Sequence, residues 1–428
     1  MDVALGTDTA GSGRVPAAFN RVVGLKPTLG LVPSRGVVPA CPSYDTVSVL
    51  ARDLATGCEV LRAIAGVDDA DPTSRPWSAT APLAAPVHPV LAVPAERDLA
   101  VLSPAMRAAF DDALQRLAAT GCTLREVDLT PMLEAATLLY GGGLVAERAW
   151  SFGTTLRERP ADADPTVAAI AAAAGEVPGV AVVRDQQRLR TLTHAARAAL
   201  ADTDALVVPT APDHPTPEEV AADPFGRNAR LGTFTNFVNL MDMAAVAVPN
   251  TVVPGEGEAG VTLVVPAFHD QVAADLAARF LSAGDGEVHA PLLGQGGVDV
   301  AVFGAHLRGQ PLNRQLQGLG ARYLADVATA PRYRMHLVPG AVERPALVAV
   351  APDDVAAPGT SVPGELWRLP RAAVVDLLLS IRSPLGLGDV ELADGTTVLG
   401  FIAGTDRTHD DITHHGGWRA YRAATTAS

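Results

Sequence analysis

Lysine is almost missing from this chain of 428 residues. Of its 33 basic residues only Lys26 is a lysine, which leaves 32 arginines. Arginine does not give up its proton in proteins, so chemistry that needs a neutral amine must use Lys26 or do without. Cysteine is nearly as scarce. Cys41, Cys58 and Cys122 are the only three, and no Cys-x-x-Cys spacing occurs. That excludes a disulfide framework and a cysteine-based zinc site. No stretch approaches the ~18 consecutive apolar residues of a membrane-spanning helix. The start, Met1-Asp2-Val3, has neither the basic segment nor the cleavage site of a signal peptide, and a cytoplasmic location is expected. Positive charge is also in deficit. The formal net charge is −14, and such a field repels phosphate backbones, which argues against a nucleic-acid partner.

What is present is a globular chain. Hydrophobic residues make up 48% of it, and the length suits two or three domains, or a large one with a small one. Pro76, Pro82, Pro86, Pro89 and Pro94 mark residues 75–100 as an irregular connection that ends in a short strand. A helix follows, with Ser103 as its N-cap, Pro104 in its first turn, and Met106, Phe110, Leu114 and Leu117 at helical spacing up to Gly121. Thr123–Leu129 reads as a strand, 184–200 as a helix, Ala205–Val208 as a short buried strand, and Asp270 as the cap of a helix over 271–281. Residues 283–298 are Gly-rich without a period and read as a linker. Beyond it come short strand-like runs at 298–303, 332–338, 346–350, 364–369 and 397–402, which predict a small α+β or barrel-like domain over 299–428.

The sharpest local feature is Gly6-Thr7-Asp8-Thr9-Ala10-Gly11-Ser12-Gly13-Arg14. A phosphate loop is excluded, because Ser12 stands where its lysine belongs. Two readings remain. One is a tight Gly/Ser turn. The other is a nucleophile loop, in which Gly11 and Gly13 leave Ser12 unhindered and successive backbone N–H groups line an oxyanion site. The Gly-x-Ser-x-Gly elbow does not match, since Ala10 holds its first glycine position.

This loop, with Pro16-Ala17 and Gly24-Leu25-Lys26-Pro27-Thr28, resembles the amidase signature family. The resemblance implies an α/β fold, a mixed sheet with flanking helices over 1–282, here incomplete. It implies Ser12 as the acyl-accepting nucleophile, the N–H groups of Thr9, Ala10 and Gly11 as the oxyanion hole, and Asp8 and Arg14 as braces. Leu138-Leu139-Tyr140, Val145-Ala146-Glu147-Arg148 and Leu231–Asp242 resemble the allophanate hydrolase branch. There Tyr140 and Arg148 would bind the carboxylate of the small substrate allophanate, through a phenol O–H and a planar guanidinium fork. Without the resemblance, Tyr140 reads as a half-buried aromatic and Arg148 as a surface helix residue. Gly141-Gly142-Gly143 between them suggests a loosely held Arg148.

The chain after the linker resembles the C-terminal domain of allophanate hydrolases, which has a gamma-glutamyl-cyclotransferase-like fold. Phe303–Asn313, Pro363–Trp367, Pro384–Gly388 and Gly416–Tyr421 carry that likeness. It implies decarboxylation of N-carboxycarbamate, with His306 as candidate acid/base group; a structural histidine is the alternative. His414-His415 beside Asp410-Asp411 imitates a metal cluster, but adjacent side chains are expected to diverge, and no metal or organic cofactor is implied.

The family's mechanism also uses a cis-bonded Ser and a Lys upstream of the nucleophile. Eleven residues precede Ser12, and Lys26 follows it. The expectation is an N-terminally truncated allophanate hydrolase, inactive as an amidase by itself, whether through a misplaced start, a split gene or decay. Rival readings are a non-catalytic partner subunit and an amidotransferase-type amidase. Expected partners are allophanate, a second copy of the chain, a complementing N-terminal chain, and urea carboxylase; neither nucleic acid nor membrane is expected.

Overall fold

The computed structural model describes residues 2–282, 296–351, 358–404 and 409–426. They form two compact units. Residues 2–77 and 87–282 make the first, and residues 78–86 join the described residues from 296 onward in the second. The first unit is built on β1 (Val3–Asp8), β2 (Val23–Lys26), β3 (Thr46–Ala51), β4 (Val90–Pro94), β5 (Thr123–Val127), β6 (Ala205–Pro209), β7 (Met243–Val253) and β8 (Gly257–Pro266). They make one mixed sheet in the order β1-β3-β2-β7-β8-β6-β4-β5. Neighbours are antiparallel from β1 to β6, and β6, β4 and β5 are parallel. Every residue of β6 is buried, the unbroken apolar run of a strand covered on both faces. Helices Val15–Phe19, Pro104–Ala119 and Asp270–Ser282 pack against β7 and β8.

Local chemistry explains the elements. Ser103 Oγ accepts from the Met106 N–H at 3.1 Å, and the helix Pro104–Ala119 buries Met106, Phe110 and Leu117. The helix expected from residue 184 begins earlier, at Gly179, and runs to Ala199. Its first turn carries Val180, Val182 and Val183, whose β-branching speaks weakly for helix; tertiary packing decides instead. Asp270 does open a helix, but its carboxylate turns to Thr28, accepting from the backbone N at 2.7 Å and from Oγ1 at 2.6 Å.

The second unit has β9 (Gly297–Val302), β10 (Arg322–Ala328), β11 (Tyr333–Val338), β12 (Arg344–Ala349), β13 (Pro363–Pro370), β14 (Leu385–Glu391) and β15 (Thr397–Ala403). Five form a sheet in the order β10-β13-β9-β15-β14, and β11 with β12 make a separate hairpin. Val300, Val302, Trp367, Leu369 and Trp418 belong to its core. Of the expected linker, 283–295 lie outside the described residues, while Gly297 and Val298 already belong to β9. Part of the irregular connection also departs from expectation. Residues 78–86 belong with this unit: Leu83 N–H donates to Gly320 O at 2.8 Å, Ala372 N–H donates to Ala79 O at 3.0 Å, and Ala81 and Leu83 are buried. Burial of those two apolar side chains gives the segment its place. Among the described residues no single helix is long and apolar enough to cross a membrane.

Candidate active site

The serine loop leaves the end of β1 and runs into the helix Val15–Phe19. One buried ion pair organises it. Asp8 and Arg14 are both 0% exposed. The Asp8 carboxylate accepts from Arg14 Nε and Nη2, each at 2.9 Å, from Gly11 N at 2.8 Å and from Gly13 N at 3.1 Å. Arg14 also donates to Thr235 O at 3.0 Å and to Asn239 Oδ1 at 2.7 Å. Burial alone would raise the Asp8 carboxyl; Arg14, with Lys26 and the Gly11 N–H, outweighs it and holds the group below the usual carboxylate range. Gly11 sits at φ +130°, and a Cβ there would lie 2.4 Å from Thr235 Oγ1, so a side chain is barred both by backbone conformation and by space. Ser12, between the glycines, is exposed, and no described residue hydrogen-bonds its Oγ.

This geometry corrects one expected donor. The Gly11 N–H is committed to Asp8, so it is not free for an oxyanion. Among the described residues nothing accepts from the N–H of Thr9 or Ala10. Thr9 is placed instead through its side chain, which donates to Asp45 Oδ1.

Lys26 is the second anchor. It is fully buried at the end of β2, with Nζ donating to Met243 O at 2.6 Å and to Pro27 O at 3.0 Å. Burial, reinforced by Arg14, pulls its ammonium down to about 8. Both carbonyl bonds point away from a role as base for Ser12. They also predict a pH dependence. The folded-state value lies below the unfolded one of 10.5, so between those two values the unfolded chain binds more protons and stability rises with pH. Urea denaturation of wild type and Lys26→Met from pH 7.5 to 10 should show the difference moving in favour of wild type above about pH 8; a flat difference would mean that Lys26 keeps an ordinary proton affinity.

Tyr140 ends the helix Thr130–Gly141 and Arg148 lies in the first turn of Ala146–Glu158. The structure brings the two together, with the Arg148 guanidinium 4.3 Å from the centre of the Tyr140 ring. Tyr140 is 44% exposed, whereas Arg148 is 6% exposed and is no surface residue. Its polar neighbours include Leu139 O at 3.4 Å and the Cys41 thiol, which burial pushes up to about 12 while Arg148 opposes it. No described carboxylate pairs with Arg148; adjacent Glu147 accepts from Ser43 N instead. The expected looseness between the two residues is also corrected. Gly143 N–H donates to Asp185 Oδ2 at 2.6 Å, and a Cβ on Gly143 would lie 2.6 Å from the Ala181 backbone. Gly142 and Gly143 thus let the helix Gly179–Ala199 pack closely against the segment that leads to Arg148.

Loop 40–45 joins these two parts. Asp45 binds Thr9 Oγ1 and accepts from Ala40 N and Cys41 N, while Cys41 adjoins Arg148. Asn239 ties the loop to the serine turn by donating to Tyr44 O and Asp8 O. Nothing in the sequence analysis marks Asp45, Cys41, Thr235 or Asn239 as site residues. Thr235 and Asn239 had a signal, four apart on one helical turn within the run 231–242; Asp45 sits in irregular chain and had none.

In the second unit His306 lines a cavity of about 160 Å³ together with Gln315, Arg344, Ser380 and Phe401. It is 8% exposed and stacked on Phe401 at 4.7 Å. Burial, with help from Arg344, lowers its proton affinity and favours the neutral ring; the Gln315 bond opposes this. The rings of His414 and His415 do not diverge but lie 4.1 Å apart, and Asp411 is engaged by Arg334 and by Thr413 N.

The first unit thus carries an exposed serine on a braced loop of an α/β fold, and a buried arginine with no described carboxylate partner. The chain belongs to the amidase family: the Amidase family model matches residues 1–273, and the allophanate hydrolase C-terminal domain model matches residues 298–423. Urea amidolyase of Lachancea kluyveri is 35% identical over 98% of this chain and 24% of its own length. The crystal structure of Kluyveromyces lactis urea amidolyase superimposes with a TM-score of 0.85 at 35% identity, over 99% of this chain and 27% of that one. The Kluyveromyces lactis allophanate hydrolase gives a TM-score of 0.85 at 34% identity, over 99% of this chain and 73% of that one. The chain thus spans about a quarter of the length of the urea amidolyases it matches.

Proposed function

We propose that the chain is the part of an allophanate hydrolase that carries the nucleophile and the substrate clamp, with a further amidase segment needed for turnover. Ser12 attacks the terminal carbamoyl carbon, ammonia leaves, and water releases the acyl group as N-carboxycarbamate, which the second unit decarboxylates with His306 as acid/base group. The observation that carries this reading is Arg148. A guanidinium almost out of water with no carboxylate partner among the described residues is costly by itself, and a small anionic substrate supplies the missing charge. Tyr140 stands against it, and loop 40–45 connects it to the serine loop. Backbone N–H groups of Thr9 and Ala10 are the donors for the developing oxyanion. Carboxylation of urea, in a cytoplasmic setting, is the reaction that supplies the substrate, which makes urea carboxylase the expected partner.

In this reading Lys26, committed to Met243 O and Pro27 O, is not the base, and the lysine that activates Ser12 is supplied by a complementing amidase segment. Assayed by itself, the chain should release no more ammonia from allophanate than its Ser12→Ala variant, because an unassisted serine hydroxyl stays protonated and is a weak nucleophile. Adding a complementing amidase segment that carries the lysine should restore release, and Ser12→Ala should abolish it again. Release well above the Ser12→Ala control from the chain alone would show that a base other than lysine activates Ser12. Restored release that survives Ser12→Ala would remove Ser12 from the mechanism.

A further inference from the structure

The cavity around His306 holds a hydrogen-bond chain whose direction can be read from one end to the other. Ser380 Oγ donates its single proton to Leu377 O at 2.6 Å. It can therefore meet the Gln315 side chain only as an acceptor, and Gln315 Nε2 donates to it at 2.7 Å. With its amide nitrogen turned to Ser380, Gln315 presents Oε1, a pure acceptor, to His306 Nε2 at 3.0 Å. A ring nitrogen facing a pure acceptor must carry the hydrogen. No described residue hydrogen-bonds Nδ1 of the same ring.

We propose that Gln315 and Ser380 are positioning residues that hold His306 in the tautomer protonated at Nε2, leaving the Nδ1 lone pair as the site that takes up or returns a proton. This inference rests on the reading of His306 as the acid/base group of the second unit. Two further features support it. Asn313 Nδ2 donates to the His306 carbonyl at 2.8 Å and Phe401 stacks on the ring, so backbone and ring plane are both held. Among the described residues Arg344 is the only other ionisable one in the cavity wall, and its Nε is buried without a hydrogen-bond partner. A cation there disfavours imidazolium, and a neutral ring is the state in which tautomer choice matters.

The relay runs outward from the ring to a backbone carbonyl, as in sites where the bond made by one ring nitrogen fixes the role of the other. Gln315 lies in the short helix Asn313–Gly318 and Ser380 closes the helix Ala373–Ser380. Two separate elements therefore converge on the imidazole from beyond it. A glutamine that merely filled space would not need its amide oriented by a second side chain.

The test is nitrogen NMR on the full chain labelled with 15N-histidine, with His306 signals assigned by their loss in His306→Asn. Wild type should show one tautomer, with Nε2 protonated and Nδ1 carrying the shift of a bare ring nitrogen. Gln315→Leu should move both nitrogens toward averaged positions. Gln315→Glu should raise the pH at which His306 protonates, because a carboxylate on Nε2 favours imidazolium. Ser380→Ala frees the Gln315 amide to rotate and should blur the single-tautomer signature; it serves as the milder variant if Gln315→Leu fails to fold. A wild-type ring protonated at Nδ1 would overturn the proposal, as would nitrogen shifts left unchanged by both Gln315→Leu and Ser380→Ala. Decarboxylation that survives His306→Asn would overturn the acid/base reading while leaving the tautomer result intact, so the two failures are separable.

Discussion

Replacing Asp8 with Asn should cost the first unit about 3–5 kcal/mol, the penalty for stranding a buried charge when its partner is removed. Arg14 is completely buried and donates two hydrogen bonds to the Asp8 carboxylate. Its other contacts, Thr235 O and Asn239 Oδ1, are neutral. Asparagine fills the same volume but turns a donor toward groups that themselves donate, namely Arg14, Gly11 N and Gly13 N. The cost is thus both an uncompensated cation and unpaired loop N–H groups. Urea denaturation should show the loss as a lower midpoint with an unchanged slope. A loss below about 1 kcal/mol, typical of exposed ion pairs, would mean that the serine loop is held by its other contacts and that the pair is dispensable.

The second large effect is expected at Arg148. Arg148→Lys keeps the charge but replaces a planar fork by a point charge, and should weaken allophanate binding by roughly 1.5–3 kcal/mol, the scale of a hydrogen bond to a charged group. Arg148→Met removes the charge, and truncating one partner of a buried, hydrogen-bonded charge pair costs about 2–5 kcal/mol in affinity. The same substitution should leave the fold intact or firmer, because the free protein no longer buries a cation without a counter-ion. Opposite signs on binding and on stability would distinguish a substrate clamp from a structural arginine, whose loss would lower both.

Much of this was legible in the sequence where local chemistry and burial agree. Ser103, Pro104 and the spacing from Met106 to Leu117 define a helix before any tertiary contact is known, and β6 is apolar throughout because it is central. In the second unit the strands without a clear signal, β10 and β14, are the two edges of its five-stranded sheet, while β3, β7 and β8 of the first unit also go unread. Edge strands bury less, so Arg322, Asp326, Gly386 and Gly388 are tolerated there and the alternation weakens. Residues 78–86 look like a plain Pro-rich connection, and only the burial of Ala81 and Leu83 shows their allegiance. At the site, the motif carried Ser12, Asp8 and Arg14. Asp45 is invisible in the sequence, because its contact with Thr9 depends on the pairing of β1 with β3, which sets Asp8 opposite Thr46. Gly141-Gly142-Gly143 suggests looseness, whereas Gly143 is pressed against the backbone of another helix and Gly142 against the Asp185 side chain of that helix.

The central claim is that the first unit is built around the carboxylate of its substrate, and one comparison tests it most directly. Biuret has the skeleton of allophanate with a neutral amide in place of the carboxylate. Titration calorimetry of the Ser12→Ala protein should show allophanate binding at least about tenfold more tightly than biuret, since each tenfold is about 1.4 kcal/mol and the clamp is expected to exceed that. Arg148→Met should erase the preference. Equal affinity for the two ligands, or a preference that survives Arg148→Met, would contradict the account.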